Sequence, residues 1–251
     1  MNRFRVDLHI HTLLSPCGDL SMGPRNIVQY AARMGLDAIA VSDHNTLHQI
    51  EAVAVEGKKY GLFVFPAVEI TTREEAHCVA FMPDLDAAAV CQKFIDDNIT
   101  KVPNNPEKMG DQVWVDVDEM IVGEVEWYLN MPVNKSIDEI VAFVNSIGGM
   151  TVPAHVDRSS YSLIGQLGFI DPALPIAAVE FNFLDKFSTL CKVQGSMLSR
   201  WTAYTASDAH FPNLIGTNPS WLHAESRNFS ELRMAFAGID GRGIVSAQVE
   251  Q

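Results

Sequence analysis

The chain has 251 residues, 47 % of them hydrophobic, and a formal charge of −13 at pH 7. That length and apolar share support one large core, so a single α/β domain is expected over residues 1–251 rather than two small ones. The acidic balance argues against a general nucleic-acid binder, whose affinity rests on Lys and Arg, and against docking on anionic lipid. Bound divalent cations would shift that balance and keep an anionic small-molecule substrate compatible with it.

In chain order, RFRVDLHIHT alternates as a strand and lacks the apolar core of roughly 7 to 15 residues that marks a signal peptide. Pro24 then opens a helix in which Ile27, Ala31 and Met34 share a face and Gly35 marks the end. DAIAVSDH reads as a second strand, TLHQIEAVAVEGKKYG as a helix ended by Gly61, LFVFPAVEIT as a third strand and HCVAFMP as a fourth. Strands alternating with helices indicate β-α units and a mostly parallel sheet. The stretch from Asp97 to Met131 interrupts that rhythm: a turn-rich KVPNNPEKMGD precedes QVWVDVDEMIVGEVEWYL, which reads as a β-hairpin before a short helix, and the whole as an insertion. Alternation resumes with SIDEIVAFVNSIGG, a helix capped by Ser136, then MTVPAHVD, AAVEFNF, WTAYTASDAH, the helix FSELRMAFAG and the closing segment GIVSAQVE. No apolar run reaches the roughly 18 residues that span a bilayer, so no membrane partner is expected. Cys17, Cys78, Cys91 and Cys191 form no C-x-x-C pair, which points to thiols in a reducing compartment and a cytoplasmic protein.

His9 and His11, two apart on a strand, share one face, the arrangement of a common metal ion. Asp43 and His44 in VSDHN, Glu69 in AVEIT, His155 in PAHVDR, and Asp208 and His210 in ASDAH fall where predicted strands end. In β-α barrels, active sites sit at that end. His77 opens a strand. Each residue alone has an ordinary explanation: a surface carboxylate for Glu69, a satisfied core histidine for His77 or His155, a helix N-cap for Asp43. Six of the eight histidines gathered with acids at such junctions point instead to one metal-binding constellation. His48, inside a predicted helix, and His223 are read as structural. No G-x-S-x-G, P-loop or G-x-G-x-x-G segment suggests acyl transfer or nucleotide binding through a glycine loop.

HIHT, SDHN, the glutamate of AVEIT, AHVDR and SDAH together resemble the motifs of the PHP (polymerase and histidinol phosphatase) family, from about Val6 to His210. The resemblance implies a distorted (β/α)7 TIM-like barrel holding two or three divalent ions, Zn, Mn or Fe, and hydrolysing phosphate esters. It implies a first ion on His9, His11, Glu69 and Asp208, and a second on Glu69, His77 and His155, bridged by Glu69. A third would use His44, His210 and one ligand from SPCGDLSMGP. Counting forward from His11 selects Cys17; counting back from Pro24 selects Asp19. Asp19 is expected, because thiolate would be a soft ligand among imidazoles and carboxylates.

Such ions activate water and clamp the attacking and leaving oxygens at phosphorus. Glu69, Asp208, His210 and Arg158 would be the catalytic group. Arg158, three residues after His155, is the first candidate to grip phosphate and Arg73 the second, since a guanidinium fork matches two phosphate oxygens. Asp43 would orient a ligand or buttress the loop. The expected function is a metal-dependent phosphoesterase acting on a small phosphorylated metabolite: a sugar phosphate, a nucleotide or a histidinol-phosphate-like molecule. A PHP-type nuclease, disfavoured by the charge, and a metal-binding module without activity are the alternatives.

Overall fold

The structure, a computed structural model, describes residues 1–249. Its elements begin with β1 (Asn2–Ile10), α1 (Pro24–Arg33), β2 (Ala38–Val41), α2 (Ile50–Lys59), β3 (Phe63–Thr71), β4 (His77–Phe81) and α3 (Leu85–Asn98). The middle of the chain supplies α4 (Pro106–Met109), β5 (Val113–Val115), β6 (Ile121–Glu124), α5 (Ile137–Ser146), β7 (Met150–Pro153) and α6 (Leu163–Leu167). Then come β8 (Val179–Phe181), α7 (Leu184–Gln194), β9 (Ala203–Thr205), β10 (Ser220–Ala224), α8 (Phe229–Ala237) and β11 (Gly243–Ser246).

Seven strands form one curled sheet in the order β11-β10-β1-β2-β3-β4-β7, and β8 and β9 pair in parallel beside it. The amide of Ala177 donates to Thr151 O and that of Val156 to Glu180 O, at 2.9 and 2.8 Å, joining β7 to β8. Beyond β9, Ala209 bridges in parallel to Ile10. Backbone bonds thus run from β1 through β2, β3, β4, β7, β8 and β9 and back to β1. The α/β class and the curled sheet agree with the TIM-like expectation. β4, however, runs antiparallel to β3 and β7, because the turn closed by Thr72 N to Ala76 O (2.8 Å) replaces a helix there.

Two apolar clusters line opposite faces of these strands. Ala38, Ala40, Phe65, Ala67, Val79, Val152 and Tyr204 belong to one, which runs on beneath α8; Ile39, Val41, Val64, Val68, Cys78 and Phe181 belong to the other, under the remaining helices. β1 changes allegiance midway: Val6 and Leu8 join the first cluster and Ile10 the second. The cause is a register shift of β1 against β2 between Asp7 and Ile10. Such a bulge re-aims side chains near a site, and here it turns His9 and His11 inward.

The helices follow local signals. Pro24 stands at the first position of α1, and Ser136 and Glu139 close a capping box on α5. Three local expectations change. α2 starts at Ile50, so His48 lies in the preceding turn with its ring stacked 4.6 Å from Trp114. The hairpin of the insertion is present as β5 and β6, but the short helix, α4, precedes it. α3, capped by the Asp84 carboxylate on the amide of Ala87, and α7 were not anticipated. Opposite Trp114, Gly123 is required, since a Cβ there would lie 2.1 Å from the indole. Gln49 bonds Val115 through both amide atoms, and Asn45 Nδ2 donates to Leu129 O and Met131 O, so the insertion is tied to the strand ends. No helix among the described residues is long and apolar enough to cross a membrane.

Candidate metal centre

The strands deliver the expected ligands to one place. His9 ends β1, Glu69 lies near the end of β3, His77 opens the reversed β4, and His155, Asp208 and His210 follow β7 and β9. His155 and Asp208 have positive φ, 32° and 50°, where side chains with a Cβ cost about 1–3 kcal/mol each. Neighbouring sheet bonds, Val156 N to Glu180 O and the Ile10–Ala209 bridge, hold them there.

Four donor atoms converge. His9 Nε2 and His11 Nε2 are 3.2 Å apart; Asp208 Oδ1 lies 3.4 and 3.1 Å from them, and Glu69 Oε2 3.5 and 3.3 Å. The four donor atoms all lie within 4.8 Å of one another, close enough to share one ion. These four are the residues expected for the first ion. The other oxygen of Glu69, Oε1, meets His77 Nδ1 at 3.0 Å and His155 Nε2 at 3.2 Å, the second expected set. His44 Nδ1 stands 3.0 Å from Glu69 Oε2, yet both atoms are buried and lack a hydrogen bond. Buried donor atoms facing one another without bonding fit a shared cation.

The electrostatics agree. Burial works against protonating His11, but the hydrogen bond to Asp208 and the charge of Glu69 overcome it and hold the imidazole up to about 9. Burial likewise opposes a proton on His44, and Glu69 raises that group to about 9. Against the cost of burial, His77, His9 and His44 keep the Glu69 carboxyl well below its usual range. Protons thus carry positive charge where a divalent ion would carry it, so metal uptake releases them. His210 goes the other way, pushed down to about 3 by burial and the charge of His11. Its Nδ1 lies 2.9 Å from the carbonyl of Asp208.

His11, His44 and His210 form a third group. Asp19, expected there, is not among the residues gathered: its carboxylate accepts from the amide and hydroxyl of Ser21, a local turn that competes for it. Only its backbone reaches the group, through Asp19 N to His210 O at 2.9 Å. Cys17, the other loop candidate, is exposed and is likewise not among the three. Arg158 adjoins the first group, Nη2 being 2.6 Å from Asp208 Oδ2. Arg73, the second candidate for phosphate, is exposed and faces Glu139 at 3.7 Å instead. Asp43 buttresses the loop as expected, accepting from Thr12 N, Thr12 Oγ1 and Ser15 Oγ at 2.7–2.8 Å.

Three residues around the ligands escaped the sequence reading. Ser15 Oγ stands 3.0 Å from His11 Nδ1. Tyr161 stacks on His77 at 4.9 Å. Glu180, fully buried, meets His9 Nδ1 with both oxygens at 3.0 and 3.1 Å, leaving Nε2 for the cage. An acid between apolar residues in the strand AAVEFNF was its available signal. Glu180→Gln is expected to weaken metal binding about 10- to 100-fold with the fold intact, read by metal titration and circular dichroism. Unchanged affinity would contradict this role.

A sequence profile of the PHP domain matches residues 7–119, which include His9, His11, His44, Glu69 and His77. An uncharacterized protein of Methanocaldococcus jannaschii is 37 % identical over 79 residues, covering 28 % of this chain and 46 % of that one. Among solved structures, endonuclease Q from Pyrococcus furiosus superposes with TM-score 0.69 at 19 % identity, over 97 % of this chain and 58 % of that one. A putative metal-dependent phosphoesterase from Bifidobacterium adolescentis gives 0.59 at 19 % identity, over 82 % and 88 %. The chain spans under half the length of the curated relative and 58 % of the endonuclease. Fold and site together define an α/β fold whose strand ends gather residues able to hold metal ions. Over residues 7–119 the chain is similar to the PHP domain.

Proposed function

We propose that this protein is a metal-dependent phosphoesterase that hydrolyses a small phosphorylated metabolite. The observation that supports it most is the four-donor cage of His9, His11, Glu69 and Asp208, with the guanidinium of Arg158 at its edge. In this reading the strand circuit is a distorted (β/α)7 barrel. Glu69, His77 and His155 hold a second ion, and His44 and His210 a third, with Asp19 or Cys17 as the loop ligand. Two or three bound divalent ions would supply an activated water and neutralise phosphate charge. Arg158 offers two N–H donors to phosphate oxygens. His210, the most exposed of the ligand imidazoles, sits at the rim of the group. Four unpaired thiols accord with a cytoplasmic protein.

Metal-loaded protein should release phosphate from small monoesters, lose that activity to a chelator and regain it with added Mn or Zn. No release across a broad ester panel, with the ions retained, overturns the reading. A second reading, a nuclease, is favoured by the likeness to endonuclease Q, one of whose structures holds a 27-mer duplex with an abasic lesion at the active site. The charge of −13 weighs against it. Preferential cleavage of oligonucleotides over mononucleotides would reverse the order.

A further inference from the structure

A cavity of about 470 Å³ opens between the loop after β7, α6 and α7. Val156, Ile164 and Leu190 form its apolar walls, with Thr189 and Lys186 at the rim. Arg158 belongs to this lining and also to the metal centre, its Nη2 lying 2.6 Å from Asp208 Oδ2. One guanidinium therefore separates the cavity from the cage. That guanidinium is pinned: with the Asn182 amide oxygen turned towards it, Nη2 and Nε donate at 2.7 and 3.1 Å. The neighbouring acid, Asp157, is engaged elsewhere, accepting from the amides of Asn182 and Phe183 at 2.9 and 2.8 Å.

We propose that this cavity is the subsite for the organic part of the substrate, and that it takes one uncharged, apolar group of ring size. The inference rests on the phosphoesterase reading, which places the phosphate at the cage beside Arg158. The ester oxygen then points past Arg158 into the cavity. The volume lies in the range of small-ligand pockets, roughly 300–1,000 Å³. A polyol would set hydroxyls against Val156, Ile164 and Leu190 without partners, at a cost in affinity. An aryl group or single base loses only its contact with water. Lys186 and Arg158 are matched in the lining by Asp157 and Asp185, a balance that suits an uncharged group.

The test compares phenylphosphonate with methylphosphonate binding to the metal-loaded protein by calorimetry. Wild type should bind the phenyl compound about 30-fold tighter, the factor for removing roughly 80 Å² of ring surface from water. Thr189→Trp, at an exposed position of α7 outside the metal ligands, fills the cavity and should bring that ratio below about threefold with methylphosphonate unaffected. Leu190→Gln, which puts an amide in the wall, should do the same. Equal affinities in wild type, a ratio indifferent to both variants, or no phosphonate binding overturns the subsite. If both phosphonates bind but no ester is hydrolysed, the phosphoesterase reading fails while the phenyl preference still decides the subsite.

Discussion

Glu69→Gln is expected to lower hydrolysis by about a thousandfold and to remove at least one ion per chain, read by elemental analysis of the purified protein. Its two oxygens serve different groups. Oε2 faces His9, His11 and His44 at 3.0–3.5 Å, and Oε1 faces His77 and His155 at 3.0 and 3.2 Å. An amide keeps the shape but loses the charge and turns one acceptor into a donor, so one group loses its shared ligand whichever way the amide lies. In the metal-free protein the same change leaves imidazoles that Glu69 had balanced, and resistance to denaturant should fall. Full occupancy with full activity would refute the bridging role.

Asp43→Ala should cost about 3 kcal/mol of stability, from three buried charge-assisted bonds of which two donors are left without a partner. For a chain of this size, a thermal midpoint lower by about 6–12 °C follows. The damage is not confined to stability, because Ser15, held by Asp43, contacts His11 Nδ1 and accepts from the amide of His44. Metal binding should weaken in parallel, and Asp43→Asn, which keeps one acceptor oxygen, should lose less of both. An unchanged midpoint in the alanine variant would show that the loop stands without this carboxylate.

Much of the site was legible in the chain because metal ligation selects residue types with few substitutes. HIHT, SDHN, AVEIT, AHVDR and SDAH place imidazoles and carboxylates at strand ends, and the structure gathers His9, His11, His44, Glu69, His155, Asp208 and His210 from them. The helices at Pro24 and Ser136 were legible for a similar reason, since caps are written in a few adjacent residues. α3 and α7 were not, although Asp84 is a clear cap, because their mixed faces hide the helical period.

The amino-acid sequence by itself determined that imidazoles and carboxylates fall at strand ends and that strands alternate with helices, both carried by neighbouring residues. Only the tertiary structure decided which way β1 turns its histidines, since that depends on a register shift against β2. It alone paired Glu180 with His9 across 171 positions, directed Arg73 to Glu139 rather than to the cluster, and turned the Asp19 carboxylate to Ser21. Register and loop path follow from contacts between distant segments, and no local pattern encodes them.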